Sequence, residues 1–474
     1  MARIESFGAY VPMLRLSRNK MAEAWGIPGV PGERSVANID EDSITMAVAA
    51  GSDCLAGVDP ATVDAVYFAT TTAPYDEKQG AGVIAAALDL RRDINTADFS
   101  GSLRAASSAL RAAMDAVDSG SVKKVLVVAA DCRLAEPESV MEQLLGDGAG
   151  AILVSTTGPA LVRGFHSVTG EQIGQWRRNK DAYVRSFEAK AESQFGYLPS
   201  AIKAGKELLS ALKIEPSSIS RSVITAGDPL SGGKVAVKIG VNPAQLEDVL
   251  FFTVGNPGVP LVLMMLANAL ANATAGNRLL VVNNGDGADA FVIDIEQPFP
   301  AVVGRRGLAG SIAIRRELGN YTDYVRFRSL LRKEEVDPRG SAVTYWRDSA
   351  AALNLHAAKC RVCGDVNYPR GRICGKCHAR DQFDEITLAR RGEAFTYTLD
   401  HIDAGQYVNQ PVPRVVVDVE NGGRLFLSMT DGGAQDIRIG LPLELVFRRL
   451  HQASGFFNYY WKCRAIPGAA DAKR

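Results

Sequence analysis

The chain lacks most of what would send it to nucleic acid, to a membrane or out of a cell. Its 53 basic residues are matched by 53 acidic ones, so the formal net charge is zero. A neutral chain has no general electrostatic pull toward nucleic acid or anionic lipid. It contains no run of 18 apolar residues, which is what a transmembrane helix requires. The opening MARIESFGAYVP carries charges where a secretory leader needs an apolar core, so the expected location is cytoplasmic. Cysteine is scarce, seven in 474 residues, and four of the seven fall within 18 positions. What is there is an ordinary globular mix, 47% hydrophobic and 22% charged. At roughly 100–200 residues per domain, this length implies two to four units.

The four clustered cysteines are Cys360, Cys363, Cys374 and Cys377, in CRVCGDVNYPRGRICGKC. Each CxxC turn sets two thiols on one side of a tight loop, and two such turns complete a tetrahedral site. In a reducing compartment this spacing reads as structural zinc, with an oxidised or empty ribbon as the alternative. Gly364 and Gly375 fall where a knuckle needs unusual backbone angles. Cys54, Cys132 and Cys463 are scattered and read as small buried apolar residues.

Residues 1–300 alternate between strand and helix patterns. VDAVYFATT (63–71), KKVLVVAAD (123–131) and GAGAILVS (148–155) are continuous apolar runs, as for strands covered on both faces. KQGAGVIAAALDL (78–90) and SLRAASSALRAAMDAVDSG (102–120) are Ala-rich helices. The pattern then recurs. Helix start to strand is 22 residues from Leu103 to Val125, and 22 again from Pro257 to Leu279. The helix PGVPLVLMMLANALANA is apolar nearly all round, which predicts burial between layers. This is the pattern of a duplicated α/β architecture. Beyond 300, YTDYVRFRSLLRKEE (321–335) predicts a charged helix and VDPRGSAVTYWRD (336–348) a connector. From about 386, short strands with a turn at Asn421-Gly422-Gly423 predict a small β-barrel.

These residues carry a resemblance. Residues 1–300 resemble 3-hydroxy-3-methylglutaryl-CoA synthase of the bacterial and archaeal kind, in the thiolase superfamily. The matching stretches are ARIESFGAYVP, GERSVANIDEDSITMAVAA, FATTTAPY, DFSGSLRAASSAL, GDGAGAILVS, KDAYVRSFEA and VGNPG. GDGAGA alone is shared with ketoacyl synthase III. Residues 345–465 resemble acyl-CoA-associated OB-fold proteins with an N-terminal zinc ribbon, ending in a YYWKCR-type strand. The implied fold is a duplicated, five-layer thiolase-like α/β fold followed by a zinc ribbon and a small OB-fold barrel. The expected boundaries are 1–165 and 166–300 for the two halves, 301–345 for a helical linker, 346–385 for the ribbon and 386–474 for the barrel. The resemblance also implies CoA thioesters as ligands, a dimeric core, and Claisen-type carbon–carbon chemistry.

The family's catalytic set does not carry over. Its nucleophilic cysteine aligns with Leu103, its glutamate with Thr71, and its histidine with Gly227 in TAGDP. No histidine occurs between 167 and 355. One family feature persists, Asn256 in Val-Gly-Asn before the second buried helix, and Asp228 adds a carboxylate beside the missing histidine. Ser102 is one residue away from the nucleophile position, about 100° round a helix, and lacks an activating base.

Three readings follow. The chain is an accessory subunit whose ribbon and barrel dock a thiolase-like partner that owns the chemistry. Or it is a CoA-thioester aldolase or acyltransferase in its own right, with Asp228, Asn256 and Tyr75 as base and oxyanion donors. On the bland view, Asn256 caps its helix and Asp228 sits in a turn. The third reading, nucleic-acid binding through the barrel, is disfavoured by only 18 basic against 14 acidic residues in 345–474. Lys234 in SGGK is a candidate for a CoA phosphate, or simply an exposed loop lysine.

Overall fold

The computed structural model describes residues 1–171, 174–331, 340–402 and 407–468. By their internal packing they fall into two units: unit 1 is Met1–Ala37 with Asp42–Tyr324, and unit 2 is Asn38–Glu41 with Val325–Arg474.

Unit 1 is built on a nine-stranded sheet. In chain order its strands are β1 (Arg3–Tyr10), β2 (Ala65–Ala69), β3 (Asn95–Phe99), β4 (Lys124–Asp131), β5 (Gly148–Ser155), β6 (Ala160–Thr169), β7 (Arg221–Ile224), β8 (Arg278–Asn284) and β9 (Gly287–Ile295). They lie in the order β3-β2-β4-β5-β1-β6-β9-β8-β7. The seam is the short β1–β6 pairing, Arg3 opposite Leu161 and Ile4 opposite Ala160. It divides five strands of a first half from four of a second. Each half has a parallel pair feeding an antiparallel hairpin: β2–β4–β5 in one, β7–β8–β9 in the other. The duplication expected from the repeated spacing is therefore present.

Period-2 alternation assigns the layers. Val125, Val127 and Ala129 of β4 and Leu279 and Val281 of β8 share one central core with helices α3 (Ala105–Asp118) and α6 (Leu261–Ala271). The opposite face of β4 meets α1 (Ser43–Cys54), where Gly51 lies against Leu126 and Val128. The opposite face of β8, through Leu280 and Val282, packs with α4 (Leu198–Leu212) and α5 (Ser231–Ile239). Helix, sheet, helix pair, sheet, helix makes five layers. α6 buries all but Asn268 and Ala271, and each Leu or Met so placed contributes about 1.5–3 kcal/mol. The GDGAGA glycines let it come close: a Cβ at Gly150 would lie 2.7 Å from the Leu263 Cβ.

Unit 2 holds a cysteine-bearing ribbon and a barrel. The ribbon strands are β10 (His356–Cys360), β11 (Val366–Asn367) and β12 (Phe383–Thr387). The barrel strands are β13 (Arg391–Asp400), β14 (Val412–Val419), β15 (Arg424–Ser428), β16 (Pro442–Ala453) and β17 (Phe456–Ala465), ordered β15-β14-β13-β16-β17. A parallel bridge from Met429 to Cys463 brings the ends together. Gly422 and Gly423 make the predicted β14–β15 turn at positive φ. The late aromatics fill the core: Phe447 stacks on Tyr459 and meets Trp461 edge-on.

Three local expectations need correction. The 321–335 helix ends at Phe327, with Ser329 in the left-handed region; 332–335 lie outside the described residues. The 336–348 connector turns helical at Ala342 and runs to Asn354, because Ser341 accepts the Thr344 N–H as an N-cap. In the ribbon, Gly364 has φ +76° but Gly375 does not share it. The strained residue of the second knuckle is His378, φ +59°. In each knuckle it is the residue after the second cysteine that returns its N–H to the first cysteine's carbonyl.

The barrel encloses a charged knot. Asp431 takes Arg448 at 2.9 Å and Arg464 at 3.0 Å, and accepts Asn38 Nδ2 at 2.8 Å. Arg448 also meets Glu41 at 3.0 Å, and Lys462 meets Asp40 at 2.9 Å. The side chains of all of these ion pairs are buried. Burial alone would raise the Asp431 carboxyl, but Arg448 and Arg464 outweigh it and hold it well below the usual carboxylate range. Asp431→Asn, which leaves two buried guanidiniums short of a counter-charge, is expected to cost about 3–5 kcal/mol at neutral pH. Because the folded pKa is depressed, that stability is present above about pH 4 and is lost as the pH falls toward the folded value. Denaturant titrations across pH should show this acid-side loss in the wild type and not in D431N.

Candidate functional site

The site grows from where the central helices begin. α3 starts at Ala105, so Leu103 lies in the turn just before it. α6 starts at Leu261, after the turn Asn256-Pro257-Gly258. Both turns open on the same side, where β4 and β8 end. There a cavity of about 190 Å³ is lined by Leu103, Gly227, Asp228 and Asn256, together with Tyr197, Glu192 and Asn283. A second cavity, of about 320 Å³, is lined by Thr71, Ser102, Arg133 and Asp286 and shares Leu103, Glu192, Tyr197 and Asn284 with the first. The structure thus gathers positions that lie as far apart in sequence as Thr71 and Asn256. Tyr75 lines neither cavity.

Thr71 turns away from chemistry. Its N–H and hydroxyl both donate to the Asp131 carboxylate, at 2.7 and 2.9 Å. Thr70 and Thr72 add their hydroxyls, each at 2.9 Å, and Val259 its N–H at 3.1 Å. Asp131, at the end of β4, is wholly buried. It ties the end of β2 and the approach to α6 to one anion.

The two polar candidates are largely committed. Asp228 accepts the N–H groups of Leu230 and Ser231 at 2.8 and 2.9 Å and the Ser231 hydroxyl at 2.6 Å. It closes the turn that leads into α5, as expected for an aspartate before Pro229, without being that helix's N-cap, which is Leu230. Asn256 is buried, and its Oδ1 accepts the Gly258 N–H at 2.9 Å. It shapes the turn ahead of α6 without being that helix's N-cap, which is Pro260. Fixing Oδ1 in this way aims the amide NH₂ edge elsewhere, and the residue lines the cavity. Lys234 is not a loop residue; it sits exposed on the first turn of α5, outside either lining. Cys132 is half-buried, unlike Cys54 and Cys463, with its thiol 3.9 Å from the Thr72 hydroxyl.

Sequence reasoning missed Glu192 and Tyr197. They bound a six-residue π-helical turn, Glu192–Tyr197, just before α4, a kind of distortion common at functional sites. Burial pushes the Glu192 carboxyl above its ordinary value. Burial, with Asp228 adding to it, raises Tyr197 and keeps it neutral, while its hydroxyl donates to the Thr225 carbonyl at 3.0 Å. No local motif marks a π turn, so only the fold reveals that this segment reaches the cavity.

In unit 2, the sulfurs of Cys360, Cys363, Cys374 and Cys377 all lie within 4.8 Å of one another. Cys360–Cys377 and Cys363–Cys374 are 3.6 Å apart, close to the ~3.8 Å edge of a tetrahedral Zn–S₄ site. Backbone N–H groups of Cys377 and Lys376 draw the Cys374 thiol down to about 6, while burial and hydrogen bonds with the other three cysteines push Cys363 up to about 12. The four residues fit a closed structural zinc. His378 is exposed and stands outside the set.

Comparison with known proteins agrees with this geometry. Residues 97–170 match the family 3-oxoacyl-[acyl-carrier-protein] synthase III, and residues 385–448 match the C-terminal OB-fold domain of ChsH2. The hydroxymethylglutaryl-CoA synthase of Thermococcus sibiricus is 30% identical over 333 residues, spanning 68% of this chain and 94% of that protein. That of Pyrococcus furiosus is 29% identical over 337 residues, 69% and 95% of the two chains. Among solved structures, an HMG-CoA synthase complexed with CoA superposes with a TM-score of 0.63 at 20% identity, covering 72% of this chain and 92% of that one. The 3-oxoacyl-[acyl-carrier-protein] synthase III of Aquifex aeolicus gives 0.55 at 21% identity, covering 62% and 100%. Among the described residues, no helix is long and apolar enough to cross a membrane.

Two outcomes follow from this geometry. Asp131→Ala, which strands five donors, is expected to cost about 3–5 kcal/mol in denaturant unfolding. Metal analysis of the purified chain is expected to give one zinc per chain, lost in Cys374→Ser.

Proposed function

The chain belongs to the hydroxymethylglutaryl-CoA synthase family, and on that premise we propose that it handles acyl-CoA without ever carrying the acyl group covalently. It is a component of a carbon–carbon bond forming or cleaving system. The observation that carries this reading is Leu103: an inert side chain stands where the family has its cysteine, in a cavity that is otherwise open. Thr71 and Gly227 remove the companion glutamate and histidine. A thioester entering from CoA therefore meets polar groups but no nucleophile poised to attack it.

On this reading acyl transfer, where the system needs it, belongs to a thiolase-like partner. The OB-fold unit, similar to that of ChsH2, supports such a bridging role. Unit 1 forms the homo-oligomeric core, a dimer at least. A structural zinc on Cys360, Cys363, Cys374 and Cys377 stiffens the ribbon, and the metal takes no part in a reaction step.

A second reading, a self-sufficient CoA-thioester aldolase, is favoured by one observation. Glu192, Tyr197 and the Asn256 amide line the same space, and aldol chemistry needs only a base and an oxyanion donor. Asp228, committed to Leu230 and Ser231 in the turn before α5, is the weaker candidate for that base.

Both readings require the cavity to bind a thioester reversibly. Calorimetry with acetyl-CoA should show saturable binding to the full chain, and intact-mass analysis of the same mixture should show no acetyl adduct. A covalent adduct, or no binding, would overturn the proposal. Affinity purification from the native cells then separates the readings: a thiolase-like protein retained in equal amounts favours the partner, and a bare homo-oligomer favours the resident pocket.

A further inference from the structure

The second reading leaves the pocket without an assigned base, and the π-helical turn supplies one. Helices seldom widen to i→i+5 bonding, because the geometry costs packing along the axis. Here the widening spans Glu192–Tyr197, directly before α4. Its first residue and its last both line the two cavities that meet over Leu103. In a regular helix, residues five apart are separated by about 140° of rotation and would not face one space. The carboxyl end of Glu192 is located independently: a Cβ built on Gly174 would come within 3.3 Å of its Oε1, and Gly174 lines the second cavity. The other charged or titratable groups around the two cavities, among the described residues, are Tyr197, Asp228, Arg133, Arg177 and Asp286. Asp228 is held by α5, and the Arg177 guanidinium donates to the Thr71 carbonyl at 2.5 Å.

We propose that Glu192 is the catalytic proton carrier of this pocket, acting on CoA thioesters that bear a 3-hydroxyl group or an acidic α-hydrogen. This rests on the resident-pocket reading above. In the cleaving direction, the Glu192 carboxylate takes the proton from the 3-hydroxyl. The oxygen's electron pair forms the new C=O bond, the Cα–Cβ bond breaks, and its electrons pass into the thioester as an enolate. Asn256 Nδ2 donates to that enolate oxygen. The proton on Glu192 then goes to Cα, giving a ketone or aldehyde and a shorter acyl-CoA. One proton moves out and back, and no other reactant is needed. A carboxyl held above its ordinary range by burial suits both steps, since it is a stronger base than a solvated one and still returns the proton. Tyr197, kept neutral and tied to the Thr225 carbonyl, is a positioning residue.

The half-reaction can be read without knowing the physiological acyl group. Acetyl-CoA incubated with the full chain in D₂O should exchange its methyl hydrogens, followed by proton NMR. Glu192→Gln should slow exchange by about 100-fold or more, the range of a lost general base, with acetyl-CoA affinity and melting temperature unchanged. Glu192→Asp should restore part of the rate. The wild-type rate should rise with pH through a group titrating above the ordinary glutamate value, a limb missing from E192Q. If the wild type does not bind acetyl-CoA, the underlying reading of the cavity fails. If it binds but does not exchange, or if E192Q exchanges as fast, the assignment of Glu192 is overturned and the cavity reading stands.

Discussion

One buried anion organises the site. Asp131 sits at the end of β4 with no exposed surface, where an unpaired carboxylate would cost several kcal/mol. It persists because three consecutive threonines and the Val259 N–H surround it with donors. Those donors come from the loop after β2 and from the approach to α6, so satisfying one charge fixes both. The walls of the cavity are set by this requirement more than by any side chain that faces the ligand. It also gives Thr71 a role that a glutamate could not fill, since a second carboxylate beside Asp131 would repel it.

The α3/α6 pair explains why the fold tolerates a leucine at 103. Both helices lie in the core shared by the two halves of the nine-stranded sheet, so residues just outside their first turns face the cavity whatever those residues are. Packing dictates the small residues that let α6 approach β5, such as Gly150. It does not dictate what stands at 103. The scaffold can therefore hold the same cavity with a leucine where a cysteine would serve.

Much of this was legible in the sequence because it rests on local periodicity. The continuous apolar runs at 123–131 and 148–155 became β4 and β5 nearly residue for residue, and the two CxxC turns came together as their spacing requires. The gathering of Leu103, Gly227, Asp228 and Asn256 was legible only through the family resemblance, since no spacing rule joins positions so far apart. What stayed hidden depends on tertiary context. The Glu192–Tyr197 π turn has no signature of its own. The turn that Asp228 closes before α5 was readable from Asp-Pro-Leu-Ser, but its hold on the Ser231 hydroxyl was not. In unit 2, nothing near Asn38–Glu41 announces that Asp40 and Glu41 will be neutralised by Lys462 and Arg448, some 400 positions later.

The chemistry left to the cavity is narrow, and the narrowing is an argument about electrons. On the proposed reading no nucleophile takes the acyl group, and the thioester's C–S bond stays intact through any reaction there. The carbonyl can then serve only as an electron sink, accepting the pair of an α C–H or a Cα–Cβ bond as an enolate. Both cases ask for one group that moves a proton and one donor at the oxygen. A carboxyl raised by burial and an amide whose oxygen is already committed answer those two needs. Ser102 does not, since among the described residues its hydroxyl oxygen accepts the Arg104 N–H at 3.2 Å and is hydrogen-bonded to no base. On the reading proposed above, Leu103, Thr71 and Gly227 take acyl transfer away from this cavity, and enolate chemistry is the class that Glu192 and Asn256 serve.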